Sequence, residues 1–148
     1  MIDRLALWLA TVGPIGRIKY APGTFGSLIA IPLILLTKDR FEFSLGLFVL
    51  FSILGIWSSG RAAKNLKLHD PSVVVIDEVC GMLMTFLFVP VNGLSLLIGF
   101  ASFRFFDVLK PPPIRFLEKA PGGVGIVLDD IGAGLYSNLA LQLILLYA

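Results

Sequence analysis

The sequence predicts an all-α fold, a compact helical membrane domain with about five apolar helices and short interfacial helices. Two observations predict it. Of the 148 residues, 57% are hydrophobic and only 15% are charged, whereas soluble domains are about 25% charged. The apolar stretches also lack the strict alternation of half-buried strands, and an open sheet edge cannot face lipid. The length fits one domain, so we expect residues 1–148 to form a single unit.

Five apolar segments are predicted to follow a short amphipathic helix at residues 4–12. The segments are Ser27–Thr37, Phe43–Ser59, Val79–Val91, Gly93–Phe103 and Ile131–Tyr147. A helix of 17 residues is about 26 Å long, close to the roughly 30 Å of a hydrocarbon core. The second and fifth segments are therefore predicted to span a membrane. The other three either continue into their polar flanks and span thinned lipid, or form a hairpin that stops partway.

Basic residues set the expected orientation, because cytoplasmic loops carry an excess of lysine and arginine. With five spans and the N-terminus in the cytoplasm, only Lys38 and Arg40 lie outside. The cytoplasmic cations are then Arg4, Arg17, Lys19, Arg61, Lys64, Lys67, Arg104, Lys110, Arg115 and Lys119. The same side receives the carboxylates of Asp70, Asp77, Glu78, Asp107, Asp129 and Asp130. Charge is costly near lipid, so carboxylates gathered at one membrane face indicate a site.

Several classes of site are disfavoured by composition. The net charge of +2 and the scattered basic residues do not fit nucleic-acid binding. The single cysteine, Cys80, excludes an internal disulfide framework and has no neighbouring zinc ligands. Because it lies in apolar sequence, inert packing is the better interpretation than a nucleophile.

The first candidate motif is the turn Ala21–Ser27, which leads into an apolar helix. Either it is a plain turn with Thr24 or Ser27 as the helix cap, or its free backbone N–H groups bind an anion.

The second motif is His69-Asp70, followed seven residues later by Asp77-Glu78. Asp70 is predicted to cap a helix that begins at Pro71. Adjacent carboxylates point about 100° apart on a helix, so they share a cation only at a helix end or in a wide site. Mg²⁺ prefers such oxygen ligands, together with water and substrate phosphate. The alternative is a solvated loop. This alternative suits Asp70 better than it suits Asp77-Glu78, because apolar residues flank that pair.

The third motif places Arg104, Asp107 and Lys110 along one helical face. Pro111-Pro112-Pro113 then ends that helix. The three charges form either a surface ion ladder or a site in which Asp107 binds metal and the two cations bind phosphate.

The fourth motif is the glycine-rich segment Gly122–Gly134, which contains Asp129-Asp130. It matches no phosphate-binding or dinucleotide fingerprint. We expect the paired aspartates to lie at the start of the last span. There the helix N-terminus and a bound cation would offset their charge. Gly132 and Gly134 would allow close helix packing.

Taken in order, these residues resemble the phosphatidylglycerophosphatase A family. The matching set is Pro22-Gly23-Thr24, Gly26-Ser27-Leu28, His69-Asp70, Asp77-Glu78, Gly81-Met82, Phe103-Arg104, Asp107, Lys110-Pro111, Pro113-Ile114-Arg115, Gly122-Gly123, Gly125-Ile126, Asp129-Asp130-Ile131 and Ala133-Gly134. No single piece is specific, but the ordered set covers about residues 13 to 140. The N-terminal tail is shorter than in many relatives.

The resemblance implies a Mg²⁺-dependent lipid phosphatase of the bacterial cytoplasmic membrane, with its site facing the cytoplasm. Its substrate in the bilayer would be phosphatidylglycerophosphate. The resemblance leaves open whether the protein forms a homo-oligomer. On this hypothesis, the catalytic and metal-binding residues are Asp77, Glu78, Asp107, Asp129 and Asp130. The substrate-binding residues are Arg104 and Lys110 on the phosphate, Thr24 in the first motif, and Lys19 or Arg115 on the second, diester phosphate.

Two rival classes remain at the level of sequence. Carboxylates within a membrane also mark ion pathways, so a cation transporter is the first alternative. A non-catalytic membrane scaffold is the second. The position of the acids at one face, rather than through the bilayer depth, favours an interfacial enzyme.

Overall fold

A computed structural model describes residues 1–147, which form seven α-helices and one 3-10 turn. The helices are α1 Ile2–Ala10, α2 Pro22–Leu36, α3 Phe41–Leu66, α4 Ile76–Thr85, α5 Gly93–Leu109, α6 Ile114–Leu117 and α7 Gly123–Tyr147, with the 3-10 turn at Ile15–Arg17. These residues include no strand, which confirms the predicted all-α class.

The structure supports two candidate membrane spans rather than about five. Within residues 1–147, only α3 with 26 residues and α7 with 25 are long and apolar enough to cross a membrane. They correspond to the second and fifth predicted segments. Helix α2 has 15 residues, α5 has 17 and α4 has only 10, so α4 covers about 15 Å. The third segment therefore forms a short helix that ends at Thr85, and irregular chain follows it.

Helix α4 lies at the centre of the bundle and packs against α2, α3, α5 and α7. Its residues Val79, Cys80 and Met82 are completely buried. The end of α4 is satisfied by Asn138 of α7, whose Nδ2 donates to the carbonyl oxygens of Met84, Thr85 and Leu87 at 3.3, 3.0 and 2.7 Å. A buried helix end needs such partners.

Two glycines allow α4 and α7 to approach closely. A Cβ at Gly134 would collide with the carbonyl oxygen of Gly81, and a Cβ at Gly81 would lie 2.7 Å from the carbonyl oxygen of Asp130. Gly132 faces α6 instead, where a Cβ would lie 2.9 Å from Leu117. The predicted close packing at Gly132 and Gly134 is confirmed. It places the first turn of α4 beside the acidic turn of α7.

Two helix starts differ from the sequence prediction. Helix α7 begins at Gly123, not at Asp129, and Gly123 packs so closely against the backbone of α3 that no room is left for a Cβ. Asp129-Asp130 therefore lie inside the helix, beyond its first turn. Helix α4 begins at Ile76, not at Pro71. The preceding chain stays irregular, and the amide of Val75 donates to the carbonyl of Ala10 at 2.9 Å.

Candidate active site

Charged side chains from distant parts of the sequence meet around a cavity of about 260 Å³. Its wall is built from the start of α2, the α3–α4 connection, the first turn of α4, the end of α5 and the acidic turn of α7. The charged lining residues are Asp70, Asp77, Glu78, Arg104, Asp107, Lys110, Asp129 and Asp130. Six carboxylates against two cations give this cavity a strongly negative balance, and we name it the acidic cavity.

Three of these carboxylates form a compact cluster. Asp77, Glu78 and Asp130 each offer an oxygen, and the three oxygens lie within 4.8 Å of one another. Asp77 and Glu78 occupy the first turn of α4, the helix-end position at which adjacent carboxylates can converge. One oxygen of each residue is buried and has no hydrogen-bond partner among residues 1–147, namely Asp77 Oδ1, Glu78 Oε2 and Asp130 Oδ2.

The cluster is electrostatically unfavourable without a cation. Burial raises the pKa of Asp77 well above its ordinary value, and the neighbouring charges of Glu78 and Asp130 raise it further. Burial likewise raises the pKa of Glu78, and the carboxylate of Asp107 adds to the effect. Buried carboxylates are stabilised by a cation or by hydrogen bonds, and the unpaired oxygens leave room for the former. The donor set therefore fits a hard divalent ion such as Mg²⁺.

The other two predicted acids are paired with cations beside the cluster. Lys110 Nζ donates to Asp129 Oδ2 at 2.6 Å. Partial burial works against the charged form of Lys110, but the bond to Asp129 and the nearby carboxylates raise its pKa above the ordinary value. Arg104 Nη1 lies 2.8 Å from Asp107 Oδ2, yet this buried nitrogen makes no directed hydrogen bond in the described chain. The contact is therefore an ion pair that holds the guanidinium of Arg104 at the wall of the acidic cavity.

The first turn of α2 comes close to the cluster because it contains a glycine. A Cβ on Gly23 would collide with Glu78 Oε1. The start of α2 carries no side-chain cap, since its N-cap residue is Ala21 and the Ser27 hydroxyl donates to the carbonyl of Gly23 at 2.9 Å. The predicted cap by Thr24 or Ser27 is therefore wrong. What the motif provides is backbone at the wall of the acidic cavity.

The structure separates the predicted substrate-binding residues into two groups. Arg104 and Lys110 line the acidic cavity, whereas Lys19, Thr24 and Arg115 do not. Lys19 is exposed, and its ammonium lies 5.6 Å from the centre of the Tyr20 ring. Thr24 is half-buried in the first turn of α2, and Arg115 borders a separate pocket beyond Lys110.

Asp70 is a charged residue of the cavity to which the sequence assigned no function. It lines the acidic cavity together with Ser72, in the connection that enters α4. The sequence signals were its place among the carboxylates of the predicted cytoplasmic face and its spacing of seven residues from Asp77, but Asp70 before Pro71 fits a helix cap equally well. His69 does not line the acidic cavity but the pocket next to it.

Buried carboxylates that fit a divalent ion lie next to a lysine and an arginine at one end of an apolar helical bundle, an arrangement that suits phosphate-ester chemistry. The family model Phosphatidylglycerophosphatase A matches residues 8–145. The chain belongs to the phosphatidylglycerophosphatase A family and is an enzyme of that phosphatase class. The resemblance predicted from the ordered motifs is confirmed.

Three curated proteins show the same relationship. A protein of Bacteroides thetaiotaomicron, provisionally named as a phosphatidylinositol-3-phosphatase, is 37% identical over 131 residues, covering 82% of each chain. Phosphatidylglycerophosphatase A of Escherichia coli is 38% identical, covering 82% of this chain and 73% of the relative. The Haemophilus influenzae protein of the same name is 36% identical, covering 82% and 77%. No solved structure gives a significant match.

Proposed function

We propose that this chain hydrolyses the terminal phosphomonoester of phosphatidylglycerophosphate, giving phosphatidylglycerol and phosphate, with Mg²⁺ as its metal ion. The observation that carries the proposal is the cluster of Asp77, Glu78 and Asp130, whose oxygens lie within 4.8 Å of one another. Family membership and the names of the Escherichia coli and Haemophilus influenzae relatives support the substrate.

The enzyme would act at the cytoplasmic face of the bacterial inner membrane. The apolar side chains exposed on the two candidate spans support a membrane location. They are Phe43, Leu45, Val49, Leu50, Ile53 and Trp57 on α3, and Leu135, Leu139, Leu143, Ile144 and Leu146 on α7. The cation bias of the sequence supports the cytoplasmic orientation.

Asp77, Glu78 and Asp130 would hold the ion, because they supply the buried oxygens that lack partners. When bound, Mg²⁺ would neutralise part of the phosphate charge and activate water. Asp107 and Asp129 line the same cavity, and each is paired with a cation that would bind phosphate. We therefore retain all five carboxylates as the catalytic set.

Arg104 and Lys110 would bind the phosphate oxygens. Asp107 holds the guanidinium of Arg104 at the cavity, with Arg104 Nη1 2.8 Å from Asp107 Oδ2. Asp129 holds the ammonium of Lys110 in the same way. Fixed donors of this kind stabilise charge that develops on a transferring phosphoryl group. The two ion pairs thus position the groups that receive the substrate.

In the reaction, the bond between phosphorus and the glycerol oxygen breaks and a new phosphorus–oxygen bond forms. The glycerol oxygen leaves with a proton, which a carboxylic acid of the cavity can supply. The attacking oxygen belongs either to water, whose proton passes to a carboxylate of the cavity, or to an aspartate that forms a phosphoenzyme, which water then hydrolyses. Rapid acid quenching of a single turnover of ³²P-labelled substrate distinguishes the two routes, because only the aspartate route gives protein-bound label that hydroxylamine releases.

Phosphate release by the purified protein tests the proposal. We expect release from phosphatidylglycerophosphate in mixed micelles with Mg²⁺, and none after chelation. Asp107→Asn and Asp129→Asn should each lower turnover by about 100-fold or more, since each releases a cation that holds phosphate. The matched control is Glu42→Gln, which changes an exposed acid in the first turn of α3. Wild-type turnover in both aspartate variants at saturating Mg²⁺ would contradict the assignment.

The Bacteroides thetaiotaomicron relative points to a second lipid, phosphatidylinositol 3-phosphate. Both lipids carry a phosphomonoester on a polyol that a phosphodiester joins to diacylglycerol. The assay therefore uses both, with phosphatidic acid as the lipid that lacks the diester. A higher kcat/KM for phosphatidylglycerophosphate supports the proposal. A higher kcat/KM for the inositol lipid would instead make that lipid the proposed substrate.

The family result does not favour the transporter or scaffold alternatives. Uptake of Mg²⁺ into liposomes without any phosphate release would support a transporter. Acid-to-amide variants with no effect at all would support a scaffold.

A further inference from the structure

A second pocket adjoins the acidic cavity and has the opposite charge. It has a volume of about 640 Å³ and lies between the end of α5 and helix α6. Its charged residues are Lys110, Arg115, Lys119 and Glu118, with His69 at its border. Three cations against one carboxylate give a charge of +2 with His69 neutral, and we name it the basic pocket.

The cations of the basic pocket are not used up by internal ion pairs. Glu118 Oε2 lies 3.5 Å from Lys110 Nζ, so the one carboxylate is turned toward Lys110. Arg115 and Lys119 form no salt bridge with any other residue between 1 and 147. Lys119 Nζ lies 5.3 Å from the centre of the Phe116 ring. Two cations are thus available to an anion in solution or in a lipid.

Lys110 connects the basic pocket to the acidic cavity. Its ammonium lines both spaces and contacts Asp129 on one side and Glu118 on the other, at 2.6 and 3.5 Å. An anionic group in the basic pocket is therefore next to a phosphate held in the acidic cavity. The two spaces differ in the chemistry that they accept, since the acidic cavity needs a metal ion to bind phosphate and the basic pocket does not.

Exposed apolar side chains line the basic pocket or lie beside its cations. Val108 and Leu109 line it and are 76% and 49% exposed, and Phe116 is 62% exposed. An exposed apolar rim beside basic residues is typical of a surface at the membrane interface. The anion that fits this pocket is consequently one attached to an apolar molecule.

We propose that the basic pocket binds the phosphodiester of the lipid substrate through Arg115 and Lys119, while the acidic cavity holds the terminal phosphomonoester. This inference rests on the proposed function and adds the determinant of substrate class. In the proposed substrate one glycerol unit joins the two phosphates, which matches two adjoining spaces that share Lys110. It assigns the diester to Arg115 rather than to Lys19, which lines neither space.

Product inhibition tests the two spaces separately, because each product of the reaction keeps one of the two phosphates. Phosphatidylglycerol retains only the diester, and inorganic phosphate mimics only the released monoester. The variant is Arg115→Gln with Lys119→Gln. It should raise the KM for phosphatidylglycerophosphate and the inhibition constant for phosphatidylglycerol by about tenfold or more, since charged hydrogen bonds are lost. The inhibition constant for inorganic phosphate should change by less than about twofold.

Two further variants control the experiment. Lys64→Gln removes an exposed cation in the last turn of α3, outside both spaces, and should leave both inhibition constants unchanged. Arg115→Lys with Lys119→Arg exchanges the cations and should restore most of the phosphatidylglycerol inhibition, which a purely structural role would not.

The outcomes separate this inference from the function on which it rests. An unchanged inhibition constant for phosphatidylglycerol in the double glutamine variant overturns the diester assignment, and so does an equal rise for both products. In either case the wild type still hydrolyses the lipid, so the proposed function stands. A wild-type protein that releases no phosphate from the lipid overturns the proposed function, and the diester assignment with it.

Discussion

At the residue scale, Glu78 shows how a single backbone position controls the geometry of the site. Its carboxylate belongs to the three-oxygen cluster, and on the other side it contacts the first turn of α2 at Gly23. Only glycine leaves space for the carboxylate there. The Pro-Gly turn is therefore linked to the geometry of the carboxylate cluster by steric contact, and not only by its ability to begin a helix.

Gly23→Ala should lower turnover by about 10-fold to 100-fold, because the new methyl group displaces Glu78 and small misplacements are costly in catalysis. Activity with Mg²⁺ and the melting temperature are measured together. The matched control is Gly46→Ala in α3, where a Cβ would meet nothing within 4 Å. Wild-type turnover of Gly23→Ala would contradict the steric link between the first turn of α2 and the position of the Glu78 carboxylate.

The sequence predicted which acids lie at the candidate site. It did not predict which of them form the carboxylate cluster and which are paired with cations. The ordered motifs and the charge bias correctly brought Asp77, Glu78 and Asp130 to one end of the molecule. That Asp129 would be paired with Lys110 depends on where α5 ends relative to α7, which no local pattern contains. Asp70 was predicted to cap a helix because an aspartate followed by a proline favours a helix start. Tertiary contacts keep the chain irregular up to Val75, and α4 begins only at Ile76.

At the element scale, α4 departs most from the sequence prediction. An apolar run over residues 79–91 predicts a long helix, but α4 stops at Thr85. Asn138 provides the partners for the terminal carbonyl groups, and Gln142 Nε2 in turn donates to Asn138 Oδ1 at 2.6 Å. A polar residue on a distant helix thus ends α4, which is a tertiary effect and invisible to periodicity.

Asn138→Leu should destabilise the protein, because it leaves buried carbonyl groups without donors. Each such group costs about 1–3 kcal/mol, so we expect the melting temperature in detergent to fall by about 3–10 °C. Asn65→Leu serves as the control, since Asn65 is exposed in α3 and makes no side-chain hydrogen bond among residues 1–147. An unchanged melting temperature for Asn138→Leu would mean that α4 ends for another reason.

At the scale of the whole molecule, the fold places chemically different groups at one end of an apolar bundle. Helices α4 and α7 meet closely through Gly81 and Gly134, which brings together carboxylates more than fifty positions apart in the sequence. The burial of those carboxylates opposes folding, because desolvation and mutual repulsion both disfavour them. A bound divalent ion would be the most direct compensation, and it would also serve the proposed phosphate hydrolysis.

Locating the metal ion tests this account most directly. Anomalous diffraction from crystals grown with Mn²⁺, which takes the same oxygen ligands as Mg²⁺, should show an ion bound jointly by Asp77, Glu78 and Asp130. The same experiment on Asp130→Asn should show the ion lost or strongly depleted. A fully occupied ion elsewhere, or none at these carboxylates in the wild-type protein at saturating Mn²⁺, would contradict the proposed metal centre.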